Sequence, residues 1–274
     1  ASGLFIQMNS PEVFLFCIMF LSLPTLPDPP QRIVSLVPSV TELLYNLHLE
    51  AETAGITKFC VHPETWFRSK PRVGGTKTVH IEKVRALQPD LIIANREENV
   101  QEQINTLASE FPVWLTDIHN IPQALQMIDH IGRLTHRDAL AEEWIQRIQK
   151  EMPSTLPDPI PAVYLIWKDP FMTIGGDTFI NDMMRVAGFS NCFKNQIRYP
   201  EITDEDIRNS GAQYILLSSE PYPFREKHLA YFRENFPEQQ TILADGEYFS
   251  WYGSRMALAF PYFRELRAKS GNAI

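Results

Sequence analysis

Apolar and polar residues follow two periods along this chain. Short apolar runs of strand length recur at residues 32–37, 53–57, 90–95 and 113–117, and again at 162–167, 214–219 and 241–244. Between them lie stretches with apolar positions three and four apart, the spacing of a helix buried on one face. These cover residues 39–47, with Leu43, Leu44 and Leu47 inward, then 80–88, 99–110 and 121–134. In the second half they cover 178–187, closed by Gly188, then 203–210, 224–235 and 253–269, where Pro261 kinks or splits the last helix. Ser39 with Glu42, and Thr203 with Asp206, have the spacing of capping boxes. A short strand is expected at 172–174, and 58–76, rich in Pro, Gly and aromatics, reads as a long loop.

Residues 135–152 separate the two sets. Thr135 and Asp138 resemble a capping box, Leu140, Trp144, Ile145 and Ile148 form an apolar stripe, and Pro153 stops the run. Roughly 17 helical residues span about 25 Å, which suits a spine joining two lobes. The expected fold is α/β, with two Rossmann-like lobes of parallel sheet joined by a single rigid backbone helix. The expected divisions are an extension at 1–31, a lobe at 32–134, the helix at 135–152 and a lobe at 153–274. Residues 13–23 are apolar and of signal-core length, too short to span a membrane, yet 8–12 carry no Lys or Arg. A residual export signal and an edge strand both remain open there.

Composition narrows the partners. Net charge is −8, so there is no basic field for a nucleic-acid backbone. Three cysteines form no CxxC pair. There is no phosphate loop, no Gly-x-Ser-x-Gly and no HExxH, and Gly74-Gly75 and Gly175-Gly176 stand alone. His62, beside Pro63 and Trp66, is a packing histidine or the axial ligand of a bound metal. Residues 81–94 align without a gap to 204–217, which places Glu82 on Glu205 and Arg85 on Arg208. Each glutamate sits in the first turn of a short helix, where a carboxylate suits the helix dipole. As a pair, they are also equivalent acidic knobs. Aromatics gather at predicted strand ends: Phe59 and Trp66, Trp167 and Phe171, and Tyr248, Phe249, Trp251 and Tyr252, with Tyr199 in a loop. Ligands of open α/β sheets lie beyond the carboxyl ends of strands. An aromatic-lined inter-lobe cleft is therefore expected, with Arg96, Glu97, Glu98, Arg198 and Arg255 at its rim.

RIVSLVPSVTELLYNL, HIEKVRALQPDLIIA, PFMTIGGDTFINDMMRVAG, the PEITDEDI helix and DGEYFSWYGSR give the chain its resemblance to a known family. It resembles the substrate-binding proteins of ABC importers that carry cobalamin, haem or iron-siderophores, and within them the cobalamin binders most. The resemblance implies a binding protein, not an enzyme, that holds a metal-containing macrocycle in the cleft and carries no cofactor of its own. It implies ligand contacts at Phe59, Thr76, Asn95, Trp167, Tyr199 and Phe249, with Trp66, Trp251 and Arg255 beside them. Aromatics expected near Thr76 and Asn95 are absent. Glu82 and Glu205 would dock onto the permease subunits, the membrane being met only through them. A monomer in an extracytoplasmic compartment is expected, although the export signal is not clear. The alternatives are an iron-siderophore or haem receptor of the same fold and, from another class, a two-lobed metal chelatase using His62 and Glu64.

Overall fold

The structure is a computed structural model that describes residues 24–156 and 158–269. The segment read as residual signal or edge strand lies outside the described residues, apart from the Pro-rich approach to Ile33. The chain divides into two compact units, the first comprising the described residues up to Asp117 together with His130–Asp138, the second Ile118–Asp129 together with the residues from Ala139 onward.

In the first unit, β1 (Ile33–Ser35), β2 (Thr53–Ile56), β3 (Leu91–Asn95) and β4 (Val113–Thr116) form one parallel sheet in the order β2-β1-β3-β4. The central strands β1 and β3 are buried along their whole length, as strands covered on both faces must be, and Val34 lies opposite Ile92. Helices α1 (Pro38–Asn46), α2 (Glu64–Ser69), α3 (Ile81–Leu87) and α4 (Gln101–Ala108) connect the strands. Val34, Leu36, Val84, Ile92, Ile104 and Leu107 meet in one core.

After α5 (Ile121–Leu134) and α6 (Asp138–Glu151), the second unit repeats the plan. Strands β5 (Ile160–Leu165), β7 (Phe189–Asn191), β9 (Tyr214–Ser218) and β10 (Gln240–Ala244) form a parallel sheet in the order β10-β9-β5-β7. A small antiparallel pair joins β6 (Phe171–Met172) to β8 (Glu201–Ile202). Helices α7 (Phe179–Val186), α8 (Asp204–Asn209), α9 (Glu226–Asn235), α10 (Gly246–Ser250) and α11 (Met256–Lys269) complete the unit. Its core gathers Val163, Leu165, Ile207, Ile215, Phe232 and Phe236.

Several expectations need correction. Ser39 does not cap α1: Pro38 takes the first helical position, Val37 precedes it, and the buried Ser39 hydroxyl has no hydrogen-bond partner among the described residues. Thr135 does not start the helix after it. Its hydroxyl donates to the Ile131 carbonyl at 2.7 Å, and His136 takes a left-handed φ of 54° while Arg137 N–H donates to Gly132, so the three residues terminate α5. The helix expected over 135–152 thus runs from Asp138 to Glu151. Beyond Asp138 it is part of the second unit. Pro261 sits inside a continuous α11. The Thr203–Asp206 capping box is present as expected, with both reciprocal hydrogen bonds made.

Candidate functional site

The switch point of each sheet marks where to look, because strands leave it in opposite directions and open a crevice at their carboxyl ends. In the first unit this is the gap between β1 and β3. It is closed by a polar latch. Asn99 donates from its amide nitrogen to Leu36 O at 3.3 Å and Thr76 O at 3.0 Å, while its amide oxygen accepts from Asn95 N–H at 2.8 Å. Asn95 in turn donates to Thr116 O at 3.1 Å and accepts from Glu97 N–H. Thr76 and Asn95, expected as ligand contacts, are buried in this network, which ties the loop before α3 to the sheet. What the loop presents outward is Phe59, 49% exposed, with the Lys58 ammonium 5.1 Å from its ring centroid. Trp66 is wholly buried; it packs edge-on to Tyr45 at 5.4 Å, so it serves the core of α1 and α2 rather than a surface. His62 is half-buried beside α2. Among the described residues, no three of His, Cys, Asp or Glu gather to hold a metal.

The second unit's switch point lies between β5 and β9. Trp167 follows β5, is 40% exposed, and meets Tyr222 edge-on at 5.6 Å. Just after β9 comes a half-buried carboxyl. Glu220 Oε1 accepts from Ser250 Oγ at 2.6 Å and from Trp251 Nε1 at 3.0 Å. Burial pushes the Glu220 carboxyl above the usual carboxylate range, against those hydrogen bonds and helped by the negative charges of Glu247 and Asp245. Burial likewise pushes the Tyr262 hydroxyl up to about 12, and that hydroxyl accepts Asp245 N–H at 2.8 Å. Arg255 pairs with Glu247 at 2.7 Å and lies 4.9 Å from the Trp251 ring.

Trp251 and Arg255 are nearly buried, and Phe249 is wholly so, wedged 5.0 Å from Tyr164 and 4.6 Å from Phe263. Phe249 is therefore a core residue in this structure, because α10 turns its apolar side onto the sheet. Tyr199 is half-buried in the loop before β8. Of the aromatics expected at the site, Phe59 and Trp167 stand in solvent, Tyr199 is partly open, and Trp66, Phe249 and Trp251 are inside. Glu220, which orders Trp251, was not foreseen; the only signal was a lone acid directly after an apolar strand.

A further recess lies wholly in the second unit, with His119, Asn120, Asp177 and Arg198 among its lining. Arg198 holds a left-handed φ of 57°, which costs a residue with a Cβ about 1 kcal/mol.

Glu82 and Glu205 occupy matching places on α3 and α8, and both are exposed. Glu82 is hydrogen-bonded by Arg85, which also holds Glu110. In the second unit the matching Arg208 pairs instead with Asp204 at 3.6 Å.

Two parallel-sheet α/β units, each with an aromatic at its strand ends, are the frame of a ligand-binding protein. Residues 33–241 match the model of the periplasmic binding proteins, and the chain belongs to that family. It is 25% identical over 210 residues to the vitamin B12-binding protein of Yersinia pestis (strain Pestoides F), covering 73% of this chain and 74% of that protein. Its fold is similar to that of the periplasmic vitamin B12 binding protein of Vibrio cholerae, with a TM-score of 0.75 at 21% identity over 89% of this chain and 99% of that one. It is also similar to a periplasmic haem-binding protein of Pseudomonas aeruginosa, with a TM-score of 0.74 at 18% identity over 89% and 94%. Among the described residues, no helix is long and apolar enough to cross a membrane.

Proposed function

We propose that this protein captures a metal-containing macrocycle, a corrinoid, outside the cytoplasm and hands it to an ABC permease without chemical turnover. The observation that carries the reading is the exposure of Phe59 and Trp167 at the strand ends of their units, where a soluble protein ordinarily buries rings of that size. A flat apolar face laid on either ring would be worth roughly 2 kcal/mol. The sequence kinship to a vitamin B12-binding protein supports the corrinoid over other chelates.

Absorbance titration of the purified protein with cobalamin, haemin and ferric siderophores tests it. Saturable binding of cobalamin is expected. A Soret shift with haemin and no response to cobalamin would transfer the reading to haem. Release of a metallated porphyrin from porphyrin and free metal would make the protein a chelatase instead.

For delivery, Glu82 and Glu205 supply one exposed carboxylate per unit for arginines of the permease, giving orientation more than affinity. The double variant Glu82→Ala with Glu205→Ala is expected to bind ligand normally and to dock poorly. Uptake at the wild-type level by that variant would remove the assignment.

A further inference from the structure

The segment between β9 and α9 is short of backbone donors. Of Pro221, Tyr222, Pro223, Phe224 and Arg225, the two prolines have none, which leaves three N–H groups to fix its path. Tyr222 N–H donates to Ile166 O at 3.2 Å, and Phe224 N–H donates to Tyr222 O at 2.8 Å. The third, Arg225 N–H, donates to a side chain, His228 Nδ1, at 2.9 Å. His228 is the third residue of α9 and fills the place from which a glutamate or glutamine ordinarily turns back onto the N-cap. An imidazole nitrogen accepts only while it carries no proton, so the ring is neutral here, with its proton on Nε2. A proton added at Nδ1 would turn that acceptor into a donor facing another donor, and the two groups would have to part.

The same ring is wedged among aromatics. Its centroid lies 5.6 Å from that of Tyr222 and 5.5 Å from that of the buried Phe224. Tyr222 in turn meets the exposed Trp167 edge-on at 5.6 Å. One hydrogen bond and two ring contacts from His228 therefore steady the segment that braces Trp167, all within the second unit. Its surroundings disfavour a second proton. Burial pushes the imidazole below its ordinary value, and the cations Lys227 and Arg225 at the start of α9 and Lys168 in the loop after β5 push the same way. Lys168 stands 3.9 Å from the Asp169 carboxylate and 5.0 Å from the Tyr231 ring centroid. The folded chain thus takes this proton at a lower pH than the unfolded chain. The stability it contributes is complete above the ordinary imidazole value and falls as the pH drops below it.

We propose that His228 is an acid-sensitive clasp: a proton on Nδ1 opens the start of α9 and frees Tyr222 from Trp167, so that a guest held on Trp167 at neutral pH is loosened in acid. The clasp is independent of what the guest is; the release step rests on the capture reading above.

The test is iodide quenching of tryptophan fluorescence in the full chain at about pH 7.5 and about pH 5, either side of the ordinary imidazole value. The wild-type quenching constant is expected to rise about twofold on acidification as Trp167 loses its neighbour. His228→Gln, whose amide oxygen accepts Arg225 N–H and does not titrate, is expected to stay flat. His228→Ala, with no acceptor, is expected to be quenched at both pH values as strongly as the wild type in acid. An unchanging wild-type constant, the same rise in His228→Gln, or quenching of His228→Ala as weak as that of the neutral wild type overturns the clasp. Cobalamin titration at the same two pH values tests release, with an expected loss of about fivefold in wild-type affinity and none in His228→Gln. An iodide response with pH-independent cobalamin affinity overturns the release step. An iodide response with no cobalamin binding at either pH keeps the clasp and sinks the corrinoid reading; cobalamin binding without an iodide response does the reverse.

Discussion

The strand-end faces of the two units solve the same structural problem with different chemistry. Each belongs to a parallel sheet with a switch point beside its first strand, and each follows the same short helix-to-strand segment. In the first unit the crevice is stitched shut by the amides of Asn95 and Asn99 and the hydroxyl of Thr116, and the loop beside it presents Phe59. In the second a half-buried carboxyl, Glu220, follows β9 and accepts from the Trp251 indole. A neutral latch is indifferent to pH and cannot repel a ligand. A buried carboxyl is costly when charged, and its surroundings decide whether it stays neutral. The two units therefore share a frame and differ in the contents of the crevice.

The largest test of this contrast is Phe249→Ala. Emptying the space between Tyr164 and Phe263 is expected to destabilise the protein by ~3–5 kcal/mol in urea unfolding while leaving the affinity of the folded protein within threefold. A large loss of ligand affinity with little loss of stability would move Phe249 back to the site. Next come the exposed rings. Phe59→Ala and Trp167→Ala are each expected to weaken macrocycle binding by ~2 kcal/mol in absorbance titration and to change stability by no more than about 0.5 kcal/mol. If only one variant weakens binding, the ligand is held by one unit.

Thr203→Ala, which removes the hydroxyl that caps Asp206 N–H on α8 and leaves the backbone N–H of residue 203 bonded to the Asp206 carboxylate, is expected to cost ~1 kcal/mol in chemical unfolding. His80 before α3 makes no side-chain cap, so His80→Ala should cost much less, and equal losses would erase the contrast between the two helices.

The smallest effect is Glu220→Gln. In the folded chain Glu220 holds its proton to a higher pH than in the unfolded chain, so the native state binds more protons between the two pKa values. Stability then falls as pH rises through that window, and the penalty is complete above the folded pKa. The amide variant keeps acceptor Oε1 for Ser250 and Trp251 and is expected to melt higher than wild type at neutral pH, with the advantage fading as pH drops below the ordinary carboxylate range. A pH-independent difference in melting temperature would show that Glu220 is not the titrating group.

Much of the fold was legible because parallel strands buried on both faces leave uninterrupted apolar runs, as Leu91–Ala94 and Tyr214–Leu217 do. The capping box at Thr203 could be read because both of its residues act locally. Thr135 misled for a related reason: a threonine beside a helix end can close the helix behind it as readily as open the one ahead, and only the left-handed His136 decides. The short elements β7 and α10 have three and five residues, too few to show a period. The site was harder to read. Sequence places an aromatic at a strand end, yet whether its ring turns into the sheet, as for Phe249, or out, as for Trp167, depends on partners distant in the chain.

Trp167 also makes the molecule its own optical gauge. Of the five tryptophans, Trp66, Trp114 and Trp251 are buried and Trp144 is half-covered, so Trp167 alone stands well out into water. Its emission should form the red edge of the protein's fluorescence and be the fraction that iodide extinguishes. A coloured guest settling on that ring would darken the same fraction first, so the arrival of cargo could be followed without attaching a dye.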